Sequence, residues 1–157
     1  MSDGLARRCP TERDTIALGW RIGERLSSGD LVSLHGELGA GKTVLVRGIA
    51  AGAGADARVV RSPTFVFHHV YRGGRVLLHH LDLYRLGPGA DVTFLDIDGL
   101  LQGGAVVVEW GDLADLSRFA PIDVSVDVDA DNARVISRGA AGSAAIAGAW
   151  APVPAQT

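Results

Sequence analysis

Lysine is nearly absent from this 157-residue chain: of its 15 basic residues 14 are arginines, and the one lysine is Lys42. A composition so biased toward arginine points to a position where a planar guanidinium fork does not replace a compact ammonium. Cysteine is equally scarce. A single Cys9 excludes an internal disulfide and a cysteine-based zinc cluster. No apolar run approaches the roughly 18 residues a membrane-spanning helix needs. The opening MSDGLARRCPTERD carries no apolar stretch of the signal-peptide kind, so a cytoplasmic protein without a membrane partner is expected. Charge blocks are missing too, and a net charge of −3 argues against nucleic-acid binding by bulk charge, with no DNA partner expected. What remains is a chain 47% hydrophobic and 21% charged, long enough for one buried core. Glycine, at 21 residues, is nearly twice its usual share of about 7%.

The pattern along the chain predicts an α/β domain. Thr11, with Asp14 three residues on, reads as a capping box opening a helix through Ile16, Trp20, Gly23 and Leu26, stopped by Ser27-Ser28-Gly29-Asp30. Leu31–His35 reads as a buried strand, Gly36–Gly41 as a turn, and Lys42 to about Ala51 as a helix. A β-prone run from Phe65 to Tyr71, Gly73-Gly74 and the return through Val76–Leu81 predict a hairpin with a two-residue turn. Residues 86–102 are loop-rich and weakly helical; Ala105–Val108 is a second buried strand ending at Glu109-Trp110. A late hairpin, Ile122–Val128 with Ala133–Ser137, follows. The expected division is a flexible N-terminus over 1–10, a single domain over 11–138 with a mixed, partly antiparallel sheet flanked by helices, and a weakly ordered Ala/Gly/Pro-rich tail over 139–157. Trp150 is the one candidate anchor in that tail.

The chemistry concentrates at Gly36-Glu37-Leu38-Gly39-Ala40-Gly41-Lys42-Thr43, a full match to G-x-x-x-x-G-K-[ST]. Glycines let successive N–H groups curve around phosphate oxygens, and the following helix aims its positive end at them. Lys42 then reaches the β and γ phosphates, and the Thr43 hydroxyl is a magnesium ligand. Strand, loop and helix together make the predicted fold a P-loop NTPase. Such a loop needs a carboxylate near the metal, and two strand ends offer one: Glu109 and Asp82. Each binds magnesium directly or through water, or positions the attacking water; the plain alternative is a solvated strand end. Thr64, after Ser62-Pro63, reaches the γ-phosphate or closes an ordinary turn. His80 shares a face with Asp82 and is a candidate to support it. With the two-residue turn, His68 faces His79, His69 faces Leu78 and His80 faces Phe67, so the four histidines do not converge on zinc. With one lysine there is no Asn-Lys-x-Asp segment to read guanine, which favours ATP. A small kinase would need a mobile arginine-rich insert, and none is visible. Arg58, Arg61, Arg72, Arg75 and Arg85 gather around the hairpin and offer a basic face for tRNA or an acidic protein.

The motifs together resemble one family. The phosphate loop, Ser62-Pro63-Thr64-Phe65 with Tyr71, His80-Leu81-Asp82-Leu83-Tyr84-Arg85-Leu86, and Glu109-Trp110 appear in the order and spacing of the TsaE (YjeE) family. Thr15–Gly19 and Arg134 also fit, so the resemblance spans about residues 11 to 138. It implies an ATPase that works with TsaB and TsaD to make threonylcarbamoyladenosine on tRNA, with TsaD carrying the transfer chemistry. ATP hydrolysis would reset the TsaB–TsaD assembly between rounds, and tRNA would be met indirectly or weakly. It further implies ATP and Mg2+ as cofactors. Gly39, Ala40, Gly41, Lys42, Thr43 and Val44 would hold the phosphates. Thr43, Glu109 and Asp82 would sit around the metal, and Lys42, Asp82, Glu109 and Thr64 would serve catalysis. Trp110 would lie near the nucleotide, with Glu12 and Arg134 toward the adenine end. Val44 stands where many members carry a second threonine, which removes one hydroxyl near the α-phosphate. An ATP-sensing module with incidental turnover is the other reading the sequence leaves open.

Overall fold

The computed structural model describes residues 5–152. Helix α1 (Glu12–Gly23) starts where its cap dictates: Thr11 is extended, its hydroxyl accepts from the Asp14 N–H, and the Asp14 carboxylate accepts from the Thr11 N–H at 2.9 Å. The helix ends four residues before Ser27. Its last carbonyls are taken over by a side chain from elsewhere, as Arg75 donates to the carbonyls of Gly23, Glu24 and Leu26 at 2.7–3.0 Å. Strand β2 (Leu31–His35) then leads through the glycine turn into helix α2 (Lys42–Gly52). These two helices pack backbone to backbone. A Cβ at Gly48 would run into the Ile16 carbonyl, and one at Gly19 would stand 2.5 Å from the Leu45 carbonyl.

Seven strands form one mixed sheet. To β2 are added β1 (Ala6–Cys9), β3 (His68–Tyr71), β4 (Leu78–Asp82), β5 (Ala105–Glu109), β6 (Ile122–Val128) and β7 (Arg134–Arg138), in the order β1-β7-β6-β2-β5-β4-β3. β2 lies parallel between β5 and β6, and β4 lies parallel to β5; β3 pairs antiparallel with β4, and β7 antiparallel with β6 and β1. The chain is thus a single α/β domain with a mixed sheet flanked by helices. Strand alternation sends Val32, Leu34, Ala105, Val107 and Leu78 to one face, under α1 and α2. Leu31, Val106, Val108 and Leu81 go to the other, under helix α3 (Ile97–Gly103) and several short turns. By the same parity His80, Asp82 and Glu109 point to the α2 face, at the carboxyl ends of their parallel strands.

Three expectations need correction. Residues 6–9 of the supposedly flexible N-terminus form edge strand β1, paired with β7 and sealed by the buried Cys9. Four residues are too few for alternation to declare a strand. The tail is ordered well past 139: helix α4 (Ala144–Ala147) leads to a fully buried Trp150, whose indole N–H donates to the Ile136 carbonyl at 2.9 Å. Arg7 and Arg21 each donate to the Ala151 carbonyl at 2.8 Å. The ends of the two terminal segments, 1–4 and 153–157, lie outside the described residues. In the β3–β4 hairpin the connection is longer than two residues, because Arg75 is diverted to α1. The register is therefore His68 to Leu81, His69 to His80 and Val70 to His79. Neighbouring histidines still face opposite ways, and His68 Nε2 meets His79 Nδ1 at 2.9 Å.

Candidate functional site

The turn after β2 holds Gly39 and Gly41 at φ of 79° and 107°, left-handed values that only glycine adopts cheaply, so the chain curls and enters α2 directly. No side chain caps that helix, which leaves its first-turn N–H groups pointing outward from the loop. Lys42, the first helical residue, is 4% exposed and folds back: its ammonium donates to the carbonyls of Gly36 at 2.6 Å and Glu37 at 2.9 Å. It also lies 4.1 Å from the centre of the Trp110 ring. Burial pulls the Lys42 ammonium down from its ordinary range, opposed by the charges of Glu109, Asp82, Asp112 and Glu37. Trp110 takes a left-handed φ of 61° directly after β5, which turns its ring across the cleft to lie 5.0 Å from Tyr84.

Register brings the two carboxylates together. Asp82 and Glu109 are opposite each other on β4 and β5, and both are buried. Thr43 donates its hydroxyl to Glu109 Oε1 and Oε2, at 3.0 and 3.1 Å. Asp82 Oδ2 accepts from Ser62 Oγ and Thr64 Oγ1, both at 2.9 Å, and Oδ1 accepts from the Tyr84 N–H at 2.8 Å. Gly39, Gly41, Lys42, Thr43, Val44, Thr64, Asp82, Glu109 and Trp110 all line one open cleft of about 460 Å³. Glu12 and Arg134 do not line it. They line an adjoining hollow of about 210 Å³ that shares Gly41 and Val44 with the cleft and adds Thr11, Thr15 and Asn132. Arg134 is braced on the loop, donating to the carbonyl of Ala40 at 2.9 Å.

Two features lay beyond sequence reasoning. His80 supports Glu109 rather than Asp82: its Nε2 stands 2.5 Å from Glu109 Oε2. Period two placed His80 and Asp82 on one face, but only the β4–β5 pairing shows which acid the ring meets. Ser62 joins Thr64 on Asp82, a pairing for which the Ser-Pro-Thr spacing was the available signal. The basic face is smaller than expected, since Arg75 is committed to α1, Arg58 pairs with Asp56, and Arg85 lies over Phe65 and Phe67. Among the described residues no group of three or more His, Cys, Asp or Glu is arranged to hold a metal by itself. No described helix is long and apolar enough to cross a membrane.

A family model described as threonylcarbamoyl adenosine biosynthesis protein TsaE matches residues 9–138, which includes every one of these side chains. The chain belongs to the TsaE family. It is 39% identical over 137 residues to the tRNA threonylcarbamoyladenosine biosynthesis protein TsaE of Mycobacterium bovis, covering 81% of each chain. It is 45% identical over 112 residues to the TsaE of Mycobacterium leprae, covering 66% of this chain and 69% of that one. Among solved structures, the crystal structure of Bacillus subtilis YdiB superposes with a TM-score of 0.71 at 28% identity, covering 85% of this chain and 83% of that one. TsaE proteins are thus named for threonylcarbamoyladenosine synthesis on tRNA, and the TsaE match begins at Cys9, the last residue of β1.

Proposed function

We propose that this chain is a P-loop ATPase that binds Mg-ATP in the cleft and hydrolyses it slowly, as the component of tRNA threonylcarbamoyladenosine synthesis that supports repeated rounds by the TsaB–TsaD complex. The observation that carries the reading is the meeting, at one helix N-terminus, of an uncapped glycine loop, the single lysine, and a threonine bonded to a buried carboxylate. The donor set suits magnesium. Thr43, Glu109 and Asp82 offer oxygen ligands only, and two buried acids with one buried ammonium leave negative charge that a dication offsets. Bound there, Mg2+ would neutralise charge developing on the β and γ phosphates.

The chain's own groups supply the rest. Loop N–H groups and the α2 dipole bind phosphate oxygens. The Lys42 ammonium exchanges the Gly36 and Glu37 carbonyls for phosphate, whose negative charge favours the charged form that burial disfavours. Asp82, held by Ser62 and Thr64, orients the attacking water; as the water oxygen bonds to the γ-phosphorus its proton passes to a γ-phosphate oxygen, the bond from that phosphorus to the β–γ bridging oxygen breaks with its electron pair going to ADP, and ADP and inorganic phosphate leave. Trp110 and Tyr84 cover the cleft from the β5 side, and the hollow between Glu12 and Arg134 receives the base.

The competing reading is that nucleotide binding alone regulates TsaB–TsaD. Comparing ATP with a non-hydrolysable analogue in a multi-round modification assay separates them. One round, then arrest, is expected with the analogue; many rounds at the ATP rate would make hydrolysis dispensable.

A further inference from the structure

Behind Glu109 runs a buried line of polar groups that the reaction above does not use. His80 is fully buried; its Nε2 meets Glu109 Oε2 at 2.5 Å, and its Nδ1 meets the Tyr71 hydroxyl at 2.7 Å. Tyr71 is 3% exposed, and its hydroxyl is 3.3 Å from the Arg61 carbonyl, a markedly longer approach. β3 and β4 pair so that Tyr71 and His80 are diagonal neighbours on the α2 face, which is why the ring and the phenol touch.

Hydrogen-bond stoichiometry gives this line a direction. An ionised carboxylate only accepts, so the proton between His80 and Glu109 sits on Nε2. Nδ1, on the far side of the ring, is held by the Tyr71 hydroxyl, and that hydroxyl reaches on to the Arg61 carbonyl, so the ring is pinned at both nitrogens. Burial pushes the Tyr71 phenol up to about 12, so its proton is present throughout the working range.

We propose that Tyr71 and His80 are positioning residues: Tyr71 holds the His80 ring in place, and His80 anchors Glu109 Oε2 so that the carboxylate presents a fixed orientation to a divalent metal beside Thr43. This rests on the metal-nucleotide reading of the cleft. The logic is that of an outer-shell partner, whose loss typically costs a metal site about ten- to hundredfold in affinity or activity. Without the Tyr71 hydroxyl the ring loses the anchor at Nδ1 and can tilt. Glu109 would then lose its fixed donor.

The test uses the full chain with Tyr71→Phe, His80→Gln, His80→Leu and the Tyr71→Phe/His80→Gln double variant, each checked for folding by circular dichroism. In nucleotide-free protein, 15N NMR of the imidazole should show His80 protonated at Nε2 in the wild type and a weaker Nε2–H hydrogen bond to Glu109 in Tyr71→Phe. The Mg2+ concentration that half-saturates ATP binding should rise roughly tenfold or more in Tyr71→Phe and His80→Leu. In His80→Gln it should stay within a few-fold of wild type, because the glutamine amide keeps a donor where Nε2 was. Adding Tyr71→Phe to His80→Gln should then change little, a coupling that mere packing of Tyr71 would not produce. A wild-type His80 protonated at Nδ1 and not at Nε2 overturns the proposal, as does an unchanged Mg2+ requirement in folded Tyr71→Phe. Wild-type protein that binds ATP with no Mg2+ dependence overturns this proposal together with the magnesium reading beneath it.

Discussion

Lys42 is proposed to carry chemistry without carrying the fold. Its ammonium is buried against two loop carbonyls and a tryptophan face, and it makes no ion pair with either cleft carboxylate. Lys42→Ala is therefore expected to shift the unfolding free energy by less than about 1 kcal/mol. It should weaken Mg-ATP binding or turnover by roughly a hundredfold, the usual cost of losing a preorganised charge at a phosphoryl site. Paired denaturant titrations and ATPase rates check this, and a large stability loss with turnover intact would contradict it. The near absence of lysine already pointed to this position. What composition did not show was the ammonium's ligand-free partner, since carbonyls of the loop itself have no sequence signature. Glu109 was legible as a strand end, but its contacts with Thr43 and His80 depend on strand order, a non-local property.

At the level of elements, the α1–α2 crossing positions the phosphate loop, and glycine makes the crossing possible. Gly48→Ala would force its Cβ into the Ile16 carbonyl and push the helices apart, so a loss of about 1–3 kcal/mol is expected. Because α2 begins at the loop, ATP affinity should fall in the same variant; a wild-type melting temperature would refute the close approach. The β3–β4 hairpin carries a different prediction. Burial holds both His68 and His79 below the ordinary value of 6.5, with His69 and His80 adding to the shift at His68, and His68 and Arg72 adding to it at His79. The folded state therefore binds protons less readily than the unfolded one, so their contribution is full above that value and is lost as pH falls through it toward the folded values. Melting temperature should drop on going from pH 7.5 to 5.5, and His68→Gln should flatten the drop. Identical slopes in both proteins would show that this pair is not responsible. Helix boundaries at Thr11 and Lys42 were readable because capping and glycine signals are local. The hairpin register was not, because Arg75 is drawn away to finish α1.

The whole molecule gathers the glycine loop, Asp82, Glu109 and Trp110 at the carboxyl ends of three adjacent parallel strands, β2, β5 and β4, with α2 springing from the first. An α/β class and the late hairpin followed from periodicity, whereas the sheet order and both sealed termini did not. Cys9 and Trp150 acquire meaning only when β1 and the segment after β7 close over the α1 side of the core. Mg-ATP turnover in this cleft is proposed to sustain threonylcarbamoyladenosine synthesis. Its most direct test is reconstitution of that modification on tRNA with TsaB and TsaD, followed over many rounds with wild type, Lys42→Ala and Glu109→Ala. The wild type is expected to sustain repeated rounds and both variants to stall; wild-type rates with either variant would contradict the claim.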